Sequence, residues 1–222
     1  MPDAPWILAG TMVHYPKKFF AAAVDRLMES GDTPPDEVFT ELTRYFNEHL
    51  TTAQMARYMM KSVGMPKEAR VLFVDAAAVV KPDYTSNLTF IGLKQVLGSS
   101  VVASHPADYL YQDWTGKARL LYGRGFGYSK VVDPRLRSES ENSGAPLPRD
   151  TMTPEQWDWV VVGSVPRNPE LTRDILSLFP AERIVLLHGE DTPPTTGEAQ
   201  GLTDTGAHIF VREISSEVYP GR

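Results

Sequence analysis

The chain has 222 residues, 42% of them hydrophobic and 23% charged, and a formal net charge of −6. This suits one medium domain or a domain with a helical appendage, and it excludes wholesale disorder. The chain has no cysteine, which excludes disulfides, thiolate zinc sites, iron–sulfur clusters and a cysteine nucleophile.

The opening MPDAPWILAGTMVHYPKKFF carries a short apolar stretch with basic residues after it, which is not the order of a secretory leader. No run reaches the roughly 18 apolar residues of a spanning helix. The expectation is a cytoplasmic protein without a membrane partner. Its acidic balance likewise predicts no nucleic-acid partner.

From Pro16 to Pro66 the pattern predicts three helices. The first runs PKKFFAAAVDRLMESG and stops at Gly31. The second follows Thr33 as N-cap, with Pro34 and Pro35 in its first turn, where a missing N–H costs nothing. Val38, Leu42, Tyr45, Phe46 and Leu50 fall on one side of it at helical spacing. The third opens with Thr51-Thr52-Ala53-Gln54, a capping-box pattern, and ends at Gly64 with Pro66 just beyond. Its Met55, Tyr58, Met59 and Val63 form a packing face for the rest of the chain, for a second copy or for a partner enzyme.

The period then changes. Arg70–Val74 is a short apolar run of buried-strand type, followed by an amphipathic helix over Thr85–Leu97 closed by Gly98. Ser100–Ala103 reads as a second strand and Arg119–Tyr122 as a third, running into Gly123-Arg124-Gly125-Phe126-Gly127. Asp133–Asp150 is polar with Pro and Ser and predicts a long surface loop. Trp157–Val162, Arg183–Leu187 and His208–Val211 are further strands, and Leu171–Phe179 is a helix. Apolar strands alternating with helices predict an α/β, Rossmann-like, mostly parallel sheet with helices on both faces. It spans about residues 69–222, behind a helical N-terminal segment of residues 1–68.

In such a sheet ligands bind beyond the carboxyl ends of the strands. Asp75, His105, Gly163 and Ser164 stand there, as does the run His188-Gly189-Glu190-Asp191. His188, Glu190 and Asp191 offer an imidazole and two carboxylates for acid/base work, although turn chemistry alone would also place Gly, Glu and Asp at a strand end. Gly163 and Gly189 are candidate ligand-binding positions at those strand ends, and Arg167 offers a bidentate guanidinium for a phosphate or carboxylate, or pairs with a local acid. Gly123, Arg124 and Gly125 could cradle an anion, or simply thread a turn beneath aromatic rings. The first strand is followed by Asp75-Ala76-Ala77-Ala78, without glycine, so the usual nicotinamide, flavin or S-adenosylmethionine loop is missing and no cofactor is assigned. Ser164 lacks the GxSxG context of a hydrolase nucleophile. No second His stands at ligand spacing, and no metal site is assigned.

Three stretches carry a family likeness: VLFVDAAAVVKPDYTSNLTFIGLKQVLGSSVV, DYLYQDWTGKARLLYGRGFGY and WDWVVVGSVPRNPELTRDILSLFPAERIVLLHGEDTPP. With the later IFVREI, they resemble the N-terminal Rossmann-like half of CgeB-like, GT-B-type glycosyltransferase-like proteins over about residues 70–214. Two positions depart from that pattern: Pro166 where a His often follows the Gly-Ser turn, and His188 where an Asp often precedes Gly-Glu-Asp. The resemblance implies the first of two Rossmann domains, without the donor-binding half. The expected function is therefore a binding or accessory module for a sugar or other small polar metabolite. A homodimeric transferase-like enzyme with its site at the sheet edge is the alternative.

Overall fold

The computed structural model describes residues 47–79 and 81–213, together with Thr40, Arg44 and Tyr45. The first predicted helix lies outside the described residues, and the second is represented by Thr40, Arg44, Tyr45 and 47–49, all helical. The third predicted helix is α1, Thr52–Val63. The Thr51 side chain accepts from the Gln54 N–H, and Gly64 ends the helix in the left-handed region at φ 75°. Both cap residues do what their chemistry favours.

Five strands follow: β1 (Val71–Val74), β2 (Val101–Ala103), β3 (Trp159–Val162), β4 (Ile184–His188) and β5 (His208–Val211). They form one parallel sheet in the order β2-β1-β3-β4-β5. The chain reverses its direction of travel across the sheet at β1, so β1 and β3 flank the switch point. Between strands run α2 (Tyr84–Leu97), the short α3 (Glu139–Asn142), α4 (Pro169–Leu178) and α5 (Thr196–Asp204). The fold is α/β and Rossmann-like.

Strand residues alternate between two cores, as a period of two dictates. Val71, Phe73, Val161, Val185 and Leu187 pack with Met55 and Met59 of α1 and Phe90, Ile91 and Leu93 of α2. Leu72, Val74, Val160, Val162, Ile184 and Leu186 pack with Ile175 of α4, with Leu202 of α5 at the margin. Residues β1 to β4 are buried on both faces, which is why they read as unbroken apolar runs. α1 reaches the sheet through α2, and Gly92 permits the contact. A Cβ there would stand 2.1 Å from the Thr52 carbonyl oxygen.

Two expectations are corrected and one element is added. Arg119–Tyr122 is not a strand: it lies in 3₁₀ turns, with Arg119 and Leu120 exposed and no neighbouring strand to pair with. Within 123–130, Gly123, Arg124, Gly125, Gly127 and Lys130 all have φ between 55° and 78°, which breaks any extended run. Residues 133–150 are not merely a surface loop, because α3 plunges Glu141 into the interior beneath α2. Its Oε2 lies 2.6 Å from Lys94 Nζ and accepts from the Ser138 N–H and hydroxyl. Its Oε1 accepts from the Ala103 N–H and the Tyr111 hydroxyl. Burial pushes the Lys94 ammonium below the usual lysine range, against the pull of Glu141. Finally, α5 has no counterpart among the predicted elements. Its Thr195–Glu198 capping box starts a helix whose nine residues hold little apolar content.

Candidate functional site

Asp75 leaves β1 buried and fully engaged. Its Oδ1 accepts from the Ala78 N–H at 3.0 Å and the Asn168 Nδ2 at 2.9 Å, and its Oδ2 accepts from the Ser86 hydroxyl. Asn168 closes the same circuit from the β3 side. Its Oδ1 accepts from the Ala76 and Ala77 N–H groups at 3.0 and 3.2 Å, and its Nδ2 also donates to the Ser164 carbonyl at 2.8 Å. One amide side chain thus ties the loop after β1 to the loop after β3, with nearly every lone pair and proton in use.

Above β3 and β4 the first turn of α2 lies directly on the sheet edge. A Cβ on Gly163 would stand 2.2 Å from Ser86 Oγ, and one on Gly189 2.8 Å from Asp83 Oδ1. These two strand-end glycines are therefore demanded by close packing. Asp83 caps α2 through the Ser86 N–H. Arg167 reaches across to it at 3.3 Å, donates through Nε to Glu190 at 2.8 Å and lies against the Lys81 carbonyl. Two carboxylates share this one guanidinium with opposite results. Burial pushes Asp83 above the ordinary carboxyl range, opposed by the Ser86 N–H and Arg167. The hydrogen bond from Arg167 holds Glu190 below it.

The trio expected to do acid/base work is divided among separate partners. His188 is buried, with Nδ1 lacking a partner, and its carbonyl accepts from the Arg212 N–H. Glu190 is tied to Arg167, and Asp191 is solvent-facing and paired with Arg212. Ser164 is fully buried and its hydroxyl also lacks a partner. Gly123, Arg124 and Gly125 lie on the separate excursion between β2 and β3 and do not line the cleft described next; Gly123 stands against Tyr84 and Gly125 against Ser129 and Leu121.

That cleft, of about 480 Å³, opens at the switch point between β1 and β3. Ala76, His105, Arg167 and Asn168 bring polar edge groups to it, and Leu147, Met152 and Leu171 give it an apolar wall. Arg149 stands at the margin, paired with Asp174. The helix α4 begins in the wall with no side-chain cap, since Asn168 is committed to the loops. His105 Nδ1 lies 2.9 Å from the Ser104 hydroxyl, and burial lowers its pKa against the raising effect of Asp75, favouring the neutral imidazole as a hydrogen-bonding group. Arg149, Met152 and Asn168 were missed by sequence reasoning. Asn168-Pro169 at a helix start was a readable signal; Arg149 and Met152, inside and just beyond a stretch read as a surface loop, offered none.

Among the described residues, no group of three His, Asp or Glu side chains could hold a metal ion, and no helix is long and apolar enough to cross a membrane. No family model, curated protein or solved structure matches the chain, so the reading of the site rests on its own geometry.

Proposed function

We propose that this chain is a binding module for a small polar metabolite, a sugar or sugar phosphate among the candidates, seated in the cleft between β1 and β3. The observation that carries the reading is the cleft itself. It lies at the topological switch point, it combines an apolar wall with His105 and Arg149, and the uncapped start of α4 borders it. This agrees with the resemblance to the N-terminal half of GT-B-type proteins. Binding is favoured over acid/base catalysis because Glu190 and Asp191 are each held by an arginine and His188 is buried.

A thermal-shift screen of nucleotides, nucleotide sugars and sugar phosphates tests it. A ligand at about 100 times its Kd adds about 2.7 kcal/mol to stability, a rise in Tm of roughly 5–10 °C for a chain of this size. His105→Ala with Arg149→Ala should abolish most of that shift. A ligand that raises Tm equally in the double variant would place its site elsewhere, and a screen without any shift would sink the reading.

A further inference from the structure

Five large hydrophobic side chains are exposed on the described surface, and four belong to one excursion between β2 and β3: Leu120, Tyr122, Phe126 and Val131. Leu120 and Phe126 are the barest, at 75% and 82% exposed. The same fifteen residues, 117–131, hold Lys117, Arg119, Arg124 and Lys130 and no acidic residue, in a chain whose net charge is −6. All four basic side chains belong to exposed residues, and none makes an ion pair among the described residues.

The excursion is held in shape from beneath. Tyr128 is completely buried, packs edge-on against Tyr84 and Tyr109, and donates its hydroxyl to the Tyr122 carbonyl at 2.6 Å. Ser129 donates to the Gly125 carbonyl, and the Lys130 and Val131 N–H groups bond back to the Tyr109 and Leu110 carbonyls. The backbone is thus fixed while its apolar and basic tips face outward, so that little ordering remains to be done on docking.

We propose that residues 117–131 dock peripherally on an anionic lipid surface, with Leu120 and Phe126 entering the headgroup boundary and Lys117, Arg119, Arg124 and Lys130 facing the lipid phosphates and carboxylates. Charge complementarity selects this occupant. An interface with a protein is ordinarily depleted of lysine and mixed in sign, whereas four cations without an anion match a uniformly negative plane. Single-stranded nucleic acid would use the rings of Tyr122 and Phe126 but has no use for the aliphatic Leu120 and Val131, which offer no face to stack on. The expectation of no membrane partner rested on the want of a spanning helix, which does not bear on peripheral docking, and overall net charge does not decide it, since exposed charges act only within a Debye length of about 10 Å.

The test uses the full chain and flotation with vesicles of phosphatidylcholine alone or mixed with phosphatidylserine. Binding is expected to the mixed vesicles only and to fall at high sodium chloride. Lys117→Glu with Arg119→Glu should weaken it by twentyfold or more, since each basic residue near such a surface contributes about fivefold. Phe126→Ala should weaken it roughly tenfold. Phe126→Trp should keep binding and shift its fluorescence to the blue on contact with lipid. These positions are exposed, so an unchanged melting curve separates lost binding from lost fold. Equal recovery with both vesicle types, indifference to the charge reversal, or binding of a fluorescent oligothymidylate in place of vesicles would each overturn the proposal. None of these results depends on the cleft.

Discussion

Gly163 and Gly189, at the ends of β3 and β4, and Gly127, in the excursion between β2 and β3, answer different demands. Gly163 and Gly189 have ordinary backbone angles and no room: the first turn of α2 lies where their side chains would be. Gly127 has φ 78° and nothing within 4 Å of a Cβ, so it has room and an unusual backbone instead. The polar groups follow the same division. At the strand ends Asp75, Ser86, Asn168, Asp83 and Arg167 are consumed in bonds to one another. On the excursion the apolar tips and the cations of Lys117, Arg119 and Arg124 are left outward, and Lys130 lies over the Trp114 ring. One region is built to fix a sheet edge, the other to present side chains, and only the adjoining cleft combines both.

Substitutions should separate the two regions by size of effect. Asn168→Ala strips partners from the Ala76 and Ala77 amides and from Asp75 at once, and should cost about 4 kcal/mol in urea unfolding with an unchanged slope. Gly163→Ala forces Ser86 off Asp75 and should cost about 3 kcal/mol, against about 1 kcal/mol for Gly127→Ala, where only the left-handed backbone resists. Equal costs would mean that the crowding at Gly163 relaxes freely and the contrast is wrong. The smallest effect belongs to Glu190→Gln, about 0.5 kcal/mol at neutral pH. Glu190 has its folded pKa lowered by Arg167, so its contribution is present above the unfolded carboxyl pKa and is lost as pH falls through the folded value. The gap between wild type and Glu190→Gln should therefore close on acidification; a gap that widens would contradict the assignment. Asp83, with its folded pKa raised, carries the opposite sign.

The strands were legible because both faces of the sheet are covered, which writes them as unbroken apolar letters at 71–74, 159–162 and 184–187. The same signal misread Arg119–Tyr122, since an apolar run does not reveal whether a neighbouring strand is there to receive it. The helix α5 escaped because it buries little, and only its Thr195–Glu198 box announced it. At the site, topology made the strand ends readable. The meeting of Asn168 with Ala76 and of Arg167 with Asp83 joins residues more than eighty positions apart, which no local spacing encodes. The strand-end glycines are expected at a ligand site from topology, whereas the neighbour against them is the start of the chain's own α2.

The buried Lys94–Glu141 pair has a consequence for local opening. An ion inside the protein is tolerable only while its counterion is present, because an unpaired buried charge is strongly disfavoured. Lys94 sits in α2, Glu141 in α3, and Glu141 also holds the Ala103 amide at the edge strand β2. Withdrawal of α3 therefore strands a cation under α2 and frees an amide of β2 in the same event. These pieces form one cooperative unit of opening, and their slowest amide protons should report one common opening free energy in hydrogen exchange.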